Sequence, residues 1–337
     1  MKPKMSPKRR FLSAMMGGKA DRMPVGNVVS TITLELMEAS GAWYPHVHLN
    51  AGLMATLAAT GHEILGFDTV MPVFSVVQEA AAMGCEINWG DVKTNPSVHT
   101  HPFADVSDFR VPEGWIEAPA AQTVLDALTI LRESLGHDVV IVGKAMGPWT
   151  LSYNMMGTEE FLMTTAADPD RARASLHALK SVTIEFAKAQ MQAGADVICI
   201  ADHATGLMVS PLVYRDMLLP IHQEIIGEIG CPTVLHCCGN TTDRLQYFAE
   251  TGFDAYHFES HVDAKTAVET VAGRMQLIGN INNPEVLLQG TPEMVADACR
   301  KAIEAGIDIL APECAVPLAT PTANLKTIVE VAERYAN

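Results

Sequence analysis

The sequence predicts an α/β fold: a (β/α)8 TIM barrel with an N-terminal helix and an insertion near residues 80–137. Three observations predict it. Eight short apolar runs alternate with longer helical patterns, the order expected of parallel strands joined by helices. The runs are apolar almost throughout, as strands covered on both faces are. No Gly-x-Gly-x-x-Gly follows the first run, which disfavours the competing doubly wound dinucleotide fold. A single barrel of about 250 residues or more is common, so residues 1–337 are read as one domain.

The elements follow in order. SPKRRFLSAMMGG opens the chain as a helix. Ser6 can cap it, Pro7 suits its first position, and Gly17–Gly18 can end it. The expected strands are PVGNVV (24–29), TVMPV (69–73), VVIVGK (139–144), DVICIAD (196–202), TVLHCC (233–238), DAYHFE (254–259), MQLIGN (275–280) and IDILAPE (307–313). Between the later ones, Ser210–Pro211, Thr291–Pro292 and Thr320–Pro321 each place a hydroxyl cap and a proline ahead of an amphipathic run. Gly230, Gly252 and Gly306 mark helix ends before the next strand. The stretch from about 80 to 137, rich in Pro, Asp and His, fits the repeat poorly. It reads as an extended insertion leading into the helix QTVLDALTILRESLG.

Charge narrows the partners. Lys plus Arg total 23 against 39 Asp plus Glu, a net charge of −16. Such a surface repels polyanions, and the short basic stretch MKPKMSPKRR reads as a solvated helix start, so no nucleic-acid partner is expected. No run of about 18 uncharged apolar residues is present, so no membrane span is expected. The N-terminus carries no apolar signal core. Seven cysteines, an odd number, point to reduced thiols and a cytoplasmic location.

Active sites of barrels form at the C-terminal ends of the strands. There the fifth expected strand ends in His236, Cys237 and Cys238, and the eighth is followed by Cys314. Alternate residues of a strand share a face, so His236 and Cys238 point together while Cys237 points away. One imidazole and two thiolates suit tetrahedral Zn2+, and three protein ligands leave a position open for substrate. Free cysteines are also commonly buried as small hydrophobes, and both readings stay open on spacing alone. Cys85, Cys199, Cys231 and Cys299 are read as buried thiols.

The chain resembles the uroporphyrinogen decarboxylase superfamily and, within it, the methylcobamide:coenzyme M methyltransferase family. The resemblance runs through KRRFLSAMMGGKADRMPVGNV, GPWTLSYNMMG (147–157), ADHATGLMVSPLVYRDMLLP, and the His-x-Cys…Cys set in LHCCGN and APECA. Those last positions, His236, Cys238 and Cys314, match the family's zinc ligands. The decarboxylases continue their first strand into an arginine-bearing segment that grips porphyrin carboxylates, whereas PVGNVVSTITLELM has no arginine. Porphyrinogen decarboxylation is therefore disfavoured.

The resemblance implies a zinc-dependent methyl transfer. A thiolate, not a thiol, is the nucleophile, and zinc deprotonates a bound thiol. The sulfur of a small thiol such as coenzyme M would take the methyl group of a methylcobamide held by a separate corrinoid protein. The same fold and zinc site with another acceptor, in bacterial corrinoid-dependent demethylation, is the alternative. Glu259 is the candidate fourth ligand, with water as the other choice. Asp202 is read either as support for a ligand or substrate or as a helix cap. Lys144 and Asn154 are candidate substrate contacts, Lys144 as a cation for a sulfonate. His203 and His257 are read as exposed or hydrogen-bonded loop histidines. A monomer or homodimer is expected.

Overall fold

The computed structural model of the protein describes residues 4–103, 105 and 108–335. Seven parallel strands form its main sheet in sequence order. They are β1 (Thr69–Val70), β4 (Val140–Met146), β5 (Val197–Ala201), β6 (Thr233–His236), β7 (Ala255–Phe258), β8 (Gln276–Ile281) and β9 (Ile309–Pro312). β2 (Glu86–Asn88) and β3 (Ser97–Thr100) form a separate antiparallel ribbon in the expected insertion. Helices fill the connections, and the residues of β4, β5, β6, β7 and β9 are all buried. That burial is why their sequences lack polar alternation.

The sheet has seven strands rather than the expected eight. Residues 24–29 form only a bridge, between Val25 and Leu310. Local chemistry explains this. Pro24 has no N–H to give, and the Asn27 and Ser30 side chains capture the Val29 and Ile32 N–H groups (3.3 and 3.4 Å), competing with a strand ladder. The segment still touches both edges of the sheet. Gly26 N–H donates to the Leu310 carbonyl (3.1 Å), Leu310 N–H to that of Pro24 (3.0 Å), and Asp68 N–H to that of Val25 (2.6 Å).

The caps behave mostly as expected. Ser6 accepts from Arg9 N–H and starts α1 (Pro7–Met15). Ser210 accepts from Val213 N–H, and Thr291 from Met294 N–H at the start of the helix Pro292–Ala305. Thr320 does not cap the last helix, Thr322–Arg334, where Pro321 stands at the cap position. Glu35 reaches across from another element to accept Thr322 N–H (2.8 Å).

A repeated Gly-x-Asp tripeptide holds the opposite end. The tripeptides GFD (66–68), GAD (194–196), GFD (252–254) and GID (306–308) each precede a strand. In each, an aspartate oxygen accepts a backbone N–H from the preceding strand or segment. Asp68 takes Val25 (2.9 Å), Asp196 takes Ile141 (3.0 Å), Asp254 takes Thr233 (2.7 Å) and Asp308 takes Leu277 (2.8 Å). Side chains as well as the ladder thus hold neighbouring strands together at their N-terminal ends.

Candidate metal and acceptor site

β6 ends at His236, and its in-register neighbour on β7 is His257. The two rings lie 4.7 Å apart between centroids. His236 Nδ1 faces the His257 carbonyl oxygen at 3.3 Å. An N–H at Nδ1 donates there and leaves the Nε2 lone pair free, which is the tautomer a ligating histidine needs. Cys238 follows where β6 runs out, and its turn depends on Gly239. That residue has φ 78°, and a Cβ on it would lie 2.4 Å from Thr205 Oγ1.

Cys314 arrives from beyond β9. Its neighbour Glu313 is buried and accepts N–H groups from Ser260 (2.8 Å) and Asn283 (2.7 Å), fastening this end to the loops after β7 and β8. Asn27 Nδ2 donates to the Cys314 carbonyl (3.3 Å).

The three expected ligands meet. His236 Nε2 is 3.0 Å from Cys238 Sγ and 3.5 Å from Cys314 Sγ, and the two sulfurs are 3.2 Å apart. Tetrahedral zinc with bonds of about 2.3 Å to sulfur and 2.0 Å to nitrogen spaces such atoms by roughly 3.5–3.8 Å. Small side-chain rotations close that difference, so the donor set fits Zn2+. Among the described residues this is the group of three or more ligating side chains whose donor atoms converge. The hydrogen bond from Cys238 pulls Cys314 well below the usual thiol range, with His236 adding to it, while the same bond and burial push Cys238 well above. A dication placed among the three atoms would stabilise both sulfurs as thiolates in place of that hydrogen bond.

The cluster opens on a cavity of about 250 Å3, lined also by Lys144, Met146, Thr150, Asp202, His203, Phe74 and Val76. A larger cavity, about 720 Å3, lies at the other end, between Gly17, Arg22, Asp308 and Arg334, and contains none of the expected ligands.

The remaining expected residues separate. Asp202 lines the cavity, yet its carboxylate accepts Thr150 N–H (2.8 Å), Thr150 Oγ1 (3.1 Å) and His222 Nε2 (3.0 Å). It caps the helix Pro148–Met156, and a Cβ on Gly147 would meet its Cγ at 2.2 Å. Lys144 sits in β4, 2% exposed, on the cavity wall. Burial lowers its pKa, while the charges of Cys199, Glu79, Cys314 and Cys238 oppose the fall. Asn154 is not at the cavity; its Nδ2 donates to the Val76 carbonyl (3.0 Å). Glu259 stands outside the three-residue group and faces His261 Nδ1 at 3.3 Å, although its charge helps raise Cys238.

His203 lines the cavity and is exposed, as expected of a loop histidine. His257 is instead a buried strand residue whose Nε2 donates to the Pro312 carbonyl (2.8 Å). Cys237 is 1% exposed and turned away. Cys85, Cys199 and Cys299 are buried and Cys231 is half-buried.

Two residues by the site carried no sequence signal. Glu79 is fully buried behind β4. Its Oε1 accepts Met146 N–H (2.7 Å) and its Oε2 has no partner among the described residues. His48 is 0% exposed with neither ring nitrogen partnered among them. Burial, with the Lys144 charge, pushes it down to about 4.

Comparison with known proteins identifies the chemistry's lineage. Residues 6–335 match the family model described as uroporphyrinogen decarboxylase (URO-D). The chain belongs to the URO-D family. Within the URO-D family, relatives at 34–35% identity are methyltransferases, while decarboxylases match at 27% over 300 residues. It is 35% identical over 335 residues to the methylcobamide:CoM methyltransferase MtbA of Methanosarcina acetivorans, covering 98% of each chain. It is 34% identical over 331 residues to MtaA of Methanosarcina barkeri, another methylcobamide:CoM methyltransferase, covering 97% of this chain and 98% of that one. A solved methyltransferase from Methanosarcina mazei superposes with a TM-score of 0.95 at 34% identity, covering 98% of this chain and 99% of that one. This URO-D member is accordingly a methyltransferase-like enzyme. Among its described residues, no helix is long and apolar enough to cross a membrane.

Proposed function

We propose that the protein transfers a methyl group from a methylated corrinoid, carried on a separate corrinoid protein, to the thiol of coenzyme M. The observation that carries this reading is the convergence of His236 Nε2, Cys238 Sγ and Cys314 Sγ at the open cavity. Zn2+ held there supplies the positive charge that deprotonates an acceptor thiol near neutral pH. In the transfer the carbon–sulfur bond forms as the cobalt–carbon bond breaks, the electron pair stays on cobalt, and the thiol proton goes to solvent.

The chain's own residues position the reactants. His257 orients His236, and Asp202 fixes the helix that forms one cavity wall. Asn154 holds the loop carrying Val76, which is 47% exposed at the cavity. Val76, together with Leu207 at 92% exposed in the loop after β5, offers apolar surface to a corrinoid-bearing partner. Glu259, whose charge acts on Cys238, fills the fourth position in this reading while no thiol is bound.

The same reading makes residues 24–27 the eighth stave of a closed barrel within one domain. Both edge strands bond that segment. Counting it, the clamping aspartates fall on every second strand, the alternation expected of eight.

The test is to express the protein with zinc, measure bound metal, and follow free methylcobalamin by its absorbance. Loss of the methylcobalamin spectrum only when coenzyme M is present, abolished by Cys238→Ala or Cys314→Ala, supports the reading. Zinc below about a tenth of an equivalent under replete conditions sinks it.

A further inference from the structure

The cavity has two chemically different walls. One carries the imidazole and two sulfurs. The other carries Lys144, whose side chain is almost fully buried. Among the described residues, Lys144 Nζ makes no side-chain hydrogen bond or ion pair, and it is not one of the fully enclosed unpartnered atoms; it belongs to the cavity lining. Its backbone, by contrast, is fully committed: Lys144 N–H donates to Gln190 Oε1 (2.9 Å) and its carbonyl accepts from Gln190 Nε2 (3.0 Å). The residue is rigidly held while its charge is left open.

An ammonium on an almost closed cavity lining with no protein partner is costly, and native proteins seldom keep one without a use. Glu79 is the buried carboxylate nearby, yet it forms no ion pair with Lys144 and spends one oxygen on Met146 N–H. His48, also unpartnered and buried, stays neutral beside this charge. The group that completes Lys144 is therefore an anion entering the cavity. The cavity, about 250 Å3, is lined by Lys144 as well as by His236, Cys238 and Cys314. One small ligand can therefore touch both walls.

We propose that Lys144 is the specificity-determining residue of the acceptor site, receiving the anionic end of a short thiol whose sulfur reaches the His236–Cys238–Cys314 cluster. This rests on the methyl-transfer reading for the identity of the sulfur's partner. Sulfonate and carboxylate share the required chemistry. A neutral or cationic thiol of the same length leaves the ammonium unpaired and is discriminated against by that defect.

Calorimetric titration of the zinc-loaded protein tests it, with 2-mercaptoethanesulfonate, 3-mercaptopropionate, 2-mercaptoethanol and cysteamine as probes. The expected result is that the wild type binds at least one anionic thiol about tenfold or more tighter than the neutral one. Lys144→Met should collapse that ratio to about threefold or less, and Lys144→Arg should restore most of it. Comparable wild-type binding of anionic and neutral thiols overturns the assignment, without reference to any variant. So does a wild-type ratio retained in Lys144→Met, or no binding of either anionic thiol. Methyl transfer from methylcobalamin is followed on the same samples. A binding preference without transfer sinks the methyl-transfer reading and leaves Lys144 assigned; transfer without preference does the reverse.

Discussion

The two ends of the sheet treat buried polar groups in opposite ways. At the N-terminal ends, Arg10 is 2% exposed, yet it bonds Asp21 (2.6 Å), Asp68 (2.7 Å) and the Met5 carbonyl (2.8 Å). Asp68, at 0% exposed, is met by Arg10, Arg22 and the Val25 N–H. Arg22 Nε is the exception there. At the cavity end, both nitrogens of His48, one oxygen of Glu79 and Nδ1 of His257 lack partners among the described residues. Unsatisfied buried groups cost about 1–3 kcal/mol each. One end spends its polar groups on holding strands together. The other leaves enclosed polar groups unsatisfied behind the cavity lining, at some cost in stability.

The largest expected effect separates the ends outright. Cys238→Ala or Cys314→Ala should weaken zinc binding by more than the roughly 10–100-fold that loss of an outer hydrogen-bond partner costs. Methyl transfer should fall with it. Thermal unfolding of the metal-free protein should barely change. Metal titration and a melting curve on the same preparation check both halves.

Asp68→Ala should do the converse. It strands Arg10 and Arg22 beside a missing carboxylate, and breaking a buried ion pair from one side costs about 3–5 kcal/mol. The expected outcome is a large drop in denaturant midpoint, with zinc content per folded molecule unchanged. Equal loss of zinc would show that the two ends are not separable.

His48→Phe sharpens the comparison, because it should stabilise. The ring keeps its packing against Tyr44 and Phe74 while two orphaned nitrogens disappear. The pH dependence gives the sign. The folded value, about 4, lies below the unfolded value of about 6.5. The wild type is therefore fully stable with respect to this group above the unfolded value and loses stability as pH falls toward 4. At pH 5 that loss is about 2 kcal/mol, and it should vanish in the variant. Urea midpoints at pH 7.5 and 5 measure it.

How much of this was legible follows from the distances along the chain. The convergence of His236, Cys238 and Cys314 was readable because side-chain alternation carries on just past β6, and because only the ends of strands needed to be found. Seven of the expected strands formed, since apolar runs of that length have few other uses. The run 24–29 did not, because Asn27 and Ser30 bond their own neighbours, an effect that hydropathy does not register. Glu79 and His48 were invisible for another reason. They sit in short elements, and only tertiary packing brings them behind β4. The G-x-D repeats were visible but unread, since their meaning lies in the neighbouring strand they clamp.

The smallest expected effect tests the finest feature of the reading. Cys237 is next to a proposed ligand in sequence and carries the same sulfur chemistry. Its side chain points to the opposite face, where burial raises its pKa, and its carbonyl accepts the Tyr256 hydroxyl (3.3 Å). A buried thiol held protonated packs as a small hydrophobe. Cys237→Ala removes one atom from that packing and leaves the carbonyl bond intact. It should cost about 1 kcal/mol of stability and preserve zinc stoichiometry and methyl transfer. If Cys237→Ala instead lost metal as fully as Cys238→Ala, alternation at the end of β6 would not be what selects the ligands. The cluster would then have to be rebuilt around a turn rather than a strand.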